Sequence, residues 1–444
     1  MVDQVFALCW TLAMTVRLRF EGIRCFSEPQ SAAIRPITLL VGENSSGKTT
    51  FLALCQIAQA MAQGATGDLP FNKPPFSLGA YDQIASYRGG RAGRAKSFSL
   101  AIELDGENSR SIREEFVEKR GQPFLRSWRL TAGNSAFQTK ARPGSDEYSI
   151  LLEGPGGKTE AEAQQSFEVE AWPAILVNYD AVAIRDWIDT ELGLSGATAL
   201  TESDLKSLGN ALKALREEFA RTPYAFAPIR TSPQRTYDPV IAEPKPEGPH
   251  IPMLLAALSR SARKQPWAAL QSALKDFGQR SGLFDGIEIV NKGRKESDPF
   301  QVGVKSGGPA FNLIDVGYGV SQALPILVDT LQRASGSEFF LLQQPEVHLH
   351  PRAQAELGSF FARQANKKRR FVIETHSDYL VDRIRMEVRR KRLAPHDVSL
   401  LYFERLGNGA HINNLELDKT GSIINPPHGF RQFFLNEERD LLGI

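Results

Sequence analysis

The sequence predicts an α/β fold assembled around a phosphate-binding loop. Three observations carry that expectation. An apolar stretch, Ile37 to Val41, runs into GENSSGKT and then into a helix-forming segment from about Lys48. Strand-like runs recur on both sides of a mostly helical middle. Two late strands, FFLL from Phe339 and RFVIET, each end on polar residues. Of the 444 residues, 42% are hydrophobic and 23% charged, the composition of a folded chain with a substantial core. A net charge of +2 makes no bulk case for nucleic acid, so a local patch would have to carry one.

TVRLRFEGIRCF reads as a strand, a turn and a second short strand. SFSLAIEL and EYSILLE read as strands, and FEVEAWPAILVNYD as another. Leu and Ala at helical spacing then mark residues 183–221 and 251–281, with the Pro-rich PYAFAPIRTSPQRTYDPVIAEPKPEGP between them. Strands resume at GIEIV, FQVGV and FNLIDV, followed by helices over 321–333 and 352–366. RFVIET, the basic helix VDRIRMEVRRKRL and the strand SLLYFER complete the order. Four parts are expected. Residues 1–180 form an N-terminal lobe with a mixed or antiparallel sheet, and 181–285 a largely helical insertion. Residues 286–390 form a C-terminal lobe, and 391–444 a closing segment. Pieces of one site lie on both sides of 181–285, which favours an insertion over a linker.

Three cysteines, Cys9, Cys25 and Cys55, have no paired spacing for disulfides or zinc, which points to a reducing, cytoplasmic setting. VFALCWTLAM near the start is too short to cross a bilayer. It could be a weak signal-like segment, a packed element or an extension at an interface. No later stretch reads as transmembrane.

GENSSGKT fits G-x-x-x-x-G-K-[ST], with strand before and helix after. Its glycines let backbone N–H groups face phosphate oxygens, and the helix start adds its dipole. Lys48 would reach the terminal phosphates and Thr49 would ligate Mg2+. Gly42, Glu43, Asn44, Ser45, Ser46, Gly47 and Thr50 complete the expected ATP cradle. In DVGYGVSQALPIL, the small residues Gly317, Gly319 and Ser321 precede an apolar helix, and Ser321 is placed to cap it. In LLQQPEVHLHP, Glu346, His348 and His350 could in principle ligate zinc, but packing and hydrogen bonding near the nucleotide is the preferred reading. His376 follows a strand directly, where it could bond a terminal phosphate, with Glu374 and Asp378 as nearby candidates for water or Mg2+.

These four pieces, in this order, resemble the ABC-type ATPases outside membrane transport. The nearest group is the overcoming-lysogenization-defect-like AAA ATPases, in the wider class that includes SMC heads. GENSSGKTT corresponds to Walker A, GYGVSQ to a divergent signature, LLQQPEVHLHP to Walker B and ETHSD to the switch-histidine loop. FSLGAYDQIASYRG is similar to the segment that carries the Q-loop, which makes Gln83 a metal-site candidate. YAFAPIRTSPQRTY and DKTGSIINPPHGF also resemble a bacterial subfamily often associated with phage defence. The resemblance implies an ABC-ATPase head that binds ATP and Mg2+ and dimerises head to head. Gly319, Ser321 and Gln322 of one subunit would then close on ATP held by the other.

The family's Walker B acids are replaced by Gln343 and Gln344. A glutamine can bond metal-bound water through its oxygen but cannot act as a carboxylate base. Three readings stay open: a slow ATPase using Glu346, a switch dominated by ATP binding, or a shifted acid such as Glu374. The candidate catalytic set is Glu346, Gln344 and His376, and the candidate metal set Thr49, Gln83 and Gln343. No toprim-type nuclease fits after ETHSDYL, so a separate effector, a nuclease or toxin, is the expected partner. A phage component or DNA is a further possibility. RRKRL, NKKRR and RGGRAGRAK are the basic runs that a DNA-clamping alternative would use.

Overall fold

A computed structural model describes residues 15–430 apart from 67–68, 91–92, 107–108, 142–147, 163–171, 192–198, 241–242, 334–337, 368, 408 and 428. The apolar run VFALCWTLAM and Cys9 lie outside the described residues.

The chain opens with β1 (Val16–Glu21), β2 (Gln30–Ile34) and β3 (Ile37–Gly42), then α1 (Lys48–Ala62) and the short α2 (Tyr81–Ile84). A meander follows: β4 (Ser97–Leu104), β5 (Arg110–Lys119), β6 (Gln122–Ala132), β7 (Ser135–Ala141), β8 (Tyr148–Gly154) and β9 (Gly157–Glu162). These strands, without β3, form one antiparallel sheet in the order β2-β1-β4-β5-β6-β7-β8-β9.

The middle contains α3 (Trp172–Asn178), α4 (Ala181–Glu191), α5 (Glu202–Glu218), β10 (Tyr224–Phe226), α6 (Ile251–Arg260) and α7 (Lys264–Ser281). Residues 172–178 are helical where the sequence reading expects a strand. Pro173 suits a first helical turn. Trp172 and Leu176, four apart, face one side and are buried. The Trp172 ring lies 4.4 Å from that of Phe137.

The remainder is β11 (Gly286–Asn291), β12 (Phe300–Lys305), β13 (Ala310–Asn312), α8 (Tyr318–Gln332), β14 (Phe339–Gln343) and α9 (Pro351–Ala365). Then come β15 (Arg370–Glu374), α10 (Asp378–Arg389), β16 (Val398–Leu406), β17 (Gly409–Leu417) and β18 (Ile423–Ile424). FNLIDV is strand only to Asn312 and then turns as a 3-10 helix through Asp315.

A second sheet runs β10-β14-β15-β3-β16-β17-β18. Its first five strands are parallel and β17 and β18 are antiparallel additions. The described residues of 181–285 are mostly helical, and the one strand among them, β10, joins the edge of this sheet. Phe226, Phe340 and Phe371 stack in a rank across β10, β14 and β15. α1 packs between the two sheets, and every residue in it except Thr49 and Ala60 is buried. A helix apolar nearly all round belongs in that position. Cys55 is buried there, as expected. This is an α/β P-loop NTPase-like fold with an antiparallel N-terminal sheet. Its central strand, β3, delivers the phosphate loop at the carboxyl edge, where open α/β sheets bind ligands.

Candidate nucleotide and cation site

The phosphate loop is shaped by backbone geometry. Gly42 has φ 130°, and a Cβ there would lie 2.1 Å from the Phe403 carbonyl oxygen. Gly47 has φ 98°, and a Cβ there would strike the Phe26 ring and Cys25 Sγ. Neither position accepts a side chain without displacement. Glu43, Asn44 and Ser45 are exposed, and Ser46 is buried with its hydroxyl donating to the Glu43 carbonyl at 2.7 Å. Lys48 Nζ donates to the carbonyls of Gly42, at 3.0 Å, and Glu43. Burial holds the Lys48 pKa below the ordinary lysine value, opposed by Glu374 and Glu43. Its ammonium thus rests on the carbonyls of its own loop.

The strands flanking β3 on one side supply the facing polar layer. Gln343 ends β14 and Glu374 ends β15, and the two stand in register as neighbours. Thr49 Oγ1 donates to Glu374 Oε2 at 2.8 Å and accepts from Gln343 Nε2 at 3.2 Å. Glu374 lines a cavity with Arg24, Cys25, Ser45, Gly47, Lys48, Thr49 and Thr50. Burial raises the Glu374 pKa above the ordinary glutamate value, against the Thr49 hydrogen bond and the Lys48 charge.

The other candidates sit as follows. Gln344 has φ 45°, and its N–H donates to the Glu374 carbonyl at 2.8 Å, tying the two strand ends together. Glu346 is buried, and its Oε1 accepts the His376 N–H at 2.7 Å. It is not among the residues lining the phosphate cavity. Burial is also the chief reason the Glu346 pKa is raised. The His376 side chain is exposed. Partial loss of water around its ring, then the nearby Lys48 charge, lowers its pKa and favours the neutral ring. His350 caps α9 by accepting from the Arg352 N–H, and His348 is exposed beside the Tyr318 ring. Among the described residues no group of three His, Cys, Asp or Glu could hold a metal.

Ser321 is not the cap of its helix. α8 begins at Tyr318 after Gly317, which has no side chain to offer. Ser321 lies a turn inside, its hydroxyl donating to the Tyr318 carbonyl at 2.8 Å. Gly319 is half-buried near the Leu349 side chain. Gln322 is buried, and its Oε1 accepts the Arg230 N–H at 3.3 Å. Gln83 is exposed and accepts the Ala80 N–H at 3.1 Å, at the start of α2. It lines a different cavity, sharing only Arg24 with the phosphate cavity, and no hydrogen bond joins it to Thr49.

Two arginines near the site carry no motif. Arg24, with φ 48°, donates to Thr50 Oγ1 at 3.4 Å and to the carbonyls of Ser77 and Leu78. Arg230, from the Pro-rich loop, is buried behind the strand-end turn, and burial pushes its pKa down to about 10. It lies near Glu346, and its Nη2 reaches the Gln344 carbonyl at 3.5 Å. The signal for Arg230 was a charge inside an otherwise apolar stretch, YAFAPIR.

Some arginines of the basic runs are engaged within the molecule, while Arg88, Lys96, Lys367, Arg389 and Lys391 are exposed. Arg390 and Arg392 pair with buried Glu387. Arg369 is buried against Gln364, and Arg370 pairs with Glu218. Among the described residues no helix is long and apolar enough to cross a membrane.

The family described as "AAA domain, putative AbiEii toxin, Type IV TA system" matches residues 223–382. That span holds β10, α8, the two glutamines and His376, and leaves the phosphate loop outside. No curated protein matches the chain. Among solved structures, an Smc head bound to the C-winged helix domain of ScpA is similar at 12% identity and TM-score 0.44, over 91% of this chain and 98% of that one. A Pyrococcus furiosus Smc head with an extended coiled coil, bound to the C-terminal domain of ScpA, gives 12% and 0.43, over 96% and 99%. The SMC head domain from Thermotoga maritima gives 12% and 0.38, over 91% and 100%. Residues 223–382 are thus similar to an AAA domain, and the phosphate loop stands beside them at the edge of the same parallel sheet.

Proposed function

We propose that this chain binds ATP with Mg2+ and acts as a nucleotide-gated dimeric sensor or scaffold, with slow hydrolysis of ATP to ADP and phosphate. The observation that carries this reading is the preformed phosphate loop. Lys48 is held on the loop carbonyls, and Thr49 faces the ends of two neighbouring strands. In this reading the cradle from Gly42 to Thr50 holds the phosphates, and Thr49 and Gln343 face the cation. His376 senses the terminal phosphate. Glu346 or the Gln344 turn positions the attacking water. Gln83 belongs to this set only if ATP closes its loop onto the site.

In the dimer reading Gly319, Ser321 and Gln322 face the partner's nucleotide; Ser321 and Gln322 are buried in the single chain, so the start of α8 would have to open for them to do so. Phe311, Ile314 and Tyr318 expose apolar side chains beside the start of α8, which supports a partner there. Residues 181–285 would transmit closure, because β10 and Arg230 attach them to the site's own sheet and turn. The matched family's description names a putative toxin of a type IV TA system, which supports a toxin-antitoxin setting; a role in phage defence beside a separate cytoplasmic effector is the extension drawn from the motif resemblance. The alternative, a DNA-clamping ATPase, would use the exposed cations of the basic runs, beyond the arginines paired with Glu387 and Glu218.

ATP turnover by the purified chain with Mg2+, beside Lys48→Ala and Glu346→Gln, tests the chemistry. Loss in both variants assigns the carboxylate role to Glu346; loss only in the Lys48 variant moves it elsewhere. Light scattering with ATP tests the dimer, and salt-dependent DNA retention would revive the alternative. Failure to bind ATP would remove the whole reading.

A further inference from the structure

We propose that Glu374 supplies the carboxylate of the divalent-cation site, in place of the acid that Gln343 cannot provide. The acid has moved sideways by one strand. This rests on the ATP–Mg2+ reading above and names the group that makes the cation part of it work.

β14 and β15 are parallel neighbours, and Gln343 and Glu374 are partners in their register. A side chain at either position reaches the same point beyond the sheet edge, and both here meet one atom, Thr49 Oγ1. That hydroxyl is the expected protein ligand of a nucleotide-bound cation. Glu374 also lines the phosphate cavity, which Glu346 does not. The Gln344 N–H holds the Glu374 main chain in place at 2.8 Å.

The donor set suits Mg2+ in particular. Mg2+ keeps several waters and binds through one or two carboxylates plus substrate phosphates, rather than in an all-protein cage. One hydroxyl, one carboxylate and one amide make such a set. When Thr49 turns its lone pair to the cation, Glu374 gives up a neutral donor and gains a charged partner. Gln343 needs only a half-turn of its amide to present oxygen instead of nitrogen.

Calorimetric ATP affinity, with Mg2+ and with EDTA, measures the cation's contribution directly and needs no turnover. Mn2+ paramagnetic resonance on the ATP complex reports the ligand shell independently. Wild type should gain affinity on adding Mg2+. Glu374→Gln should lower that gain by about tenfold or more, with metal-free ATP affinity held or improved, and should change the Mn2+ spectrum. Glu374→Asp should keep part of the gain. The charge-swapped double variant Gln343→Glu with Glu374→Gln should restore it. Circular dichroism of each variant confirms folding. An unchanged Mg2+ gain in Glu374→Gln overturns the inference while leaving ATP binding intact. A gain lost in Glu374→Gln but not restored by the charge swap also overturns it, reducing Glu374 to a support for Thr49. Wild type that binds no ATP under either condition overturns this and the underlying reading together.

Discussion

Among the described residues two glutamates are buried on strands, one in each large sheet, and they have opposite surroundings. Glu374 ends β15, bonds Thr49, lies near Lys48 and opens onto a cavity. Glu114 sits in the middle of β5, fully buried, and neither of its carboxyl oxygens has a hydrogen-bond partner. Its cross-strand partner Trp128 has an unpaired indole N–H as well. Burial raises both pKa values, Glu114 well above the ordinary range. The shift alone therefore does not mark a site. Converging partners and an opening to solvent mark one, and only Glu374 has them.

The strongest way to break this contrast is to remove the cation beside Glu374. Lys48→Ala should weaken ATP binding by about 3 kcal/mol, roughly two orders of magnitude, as read by calorimetry. An affinity within threefold of wild type would end the contrast, because the cavity would then have no phosphate to serve.

Glu114 should behave in the opposite way. Glu114→Leu removes an unbonded carboxyl without opening a cavity, and should stabilise the protein by about 1–3 kcal/mol in denaturant titration. The pH dependence follows from the sign of the shift. A carboxyl whose folded pKa is raised binds its proton more tightly when folded, so stability falls as pH rises from the ordinary glutamate value towards the folded one. Wild type should lose melting temperature as pH rises above the ordinary glutamate value. Glu114→Leu should flatten that decline, leaving a smaller slope from Glu374 and Glu346. Equal slopes in the two proteins would place the titration elsewhere.

Thr49→Val should show what the Glu374 partnership is worth without nucleotide. It leaves the carboxylate and the Gln343 amide facing a methyl group, and should cost about 1–2 kcal/mol of stability. If the melting temperature does not move, water already satisfies Glu374. The smallest effect belongs to an exposed acid, Asp315, which pairs with Arg235. Asp315→Asn should leave the melting temperature unchanged, since surface pairs of this kind contribute little.

These same residues show what was legible in the sequence. The phosphate loop could be read because backbone geometry forces its composition: Gly42 and Gly47 have no space for a Cβ, and Lys48 folds back onto the loop carbonyls. The meander strand β5 could not, because its inward alternation of Ile112 and Phe116 is interrupted by Glu114. The strand expected over FEVEAWPAILVNYD failed where Pro173 and the four-residue spacing of Trp172 and Leu176 mattered more than apolar content. Ser321 looked like a cap because small residues cluster there, yet Gly317 starts the helix. Glu374 was visible only as one nearby acid among several. Its distinction comes from register with Gln343, a pairing between strands that no local pattern encodes.

The order of the second sheet has a consequence for synthesis. β3 leaves the ribosome early, but its two neighbours are β15 and β16, so Ile37 must wait for Phe371 and Val398. The antiparallel meander can pair as it emerges, since most of its neighbours are successive in the chain. Pairings so distant in sequence are slow to form and leave strand edges open meanwhile. The phosphate loop is thus among the first motifs made and among the last completed. A truncated or stalled chain would carry GENSSGKT intact and still have no sheet on which to hold it.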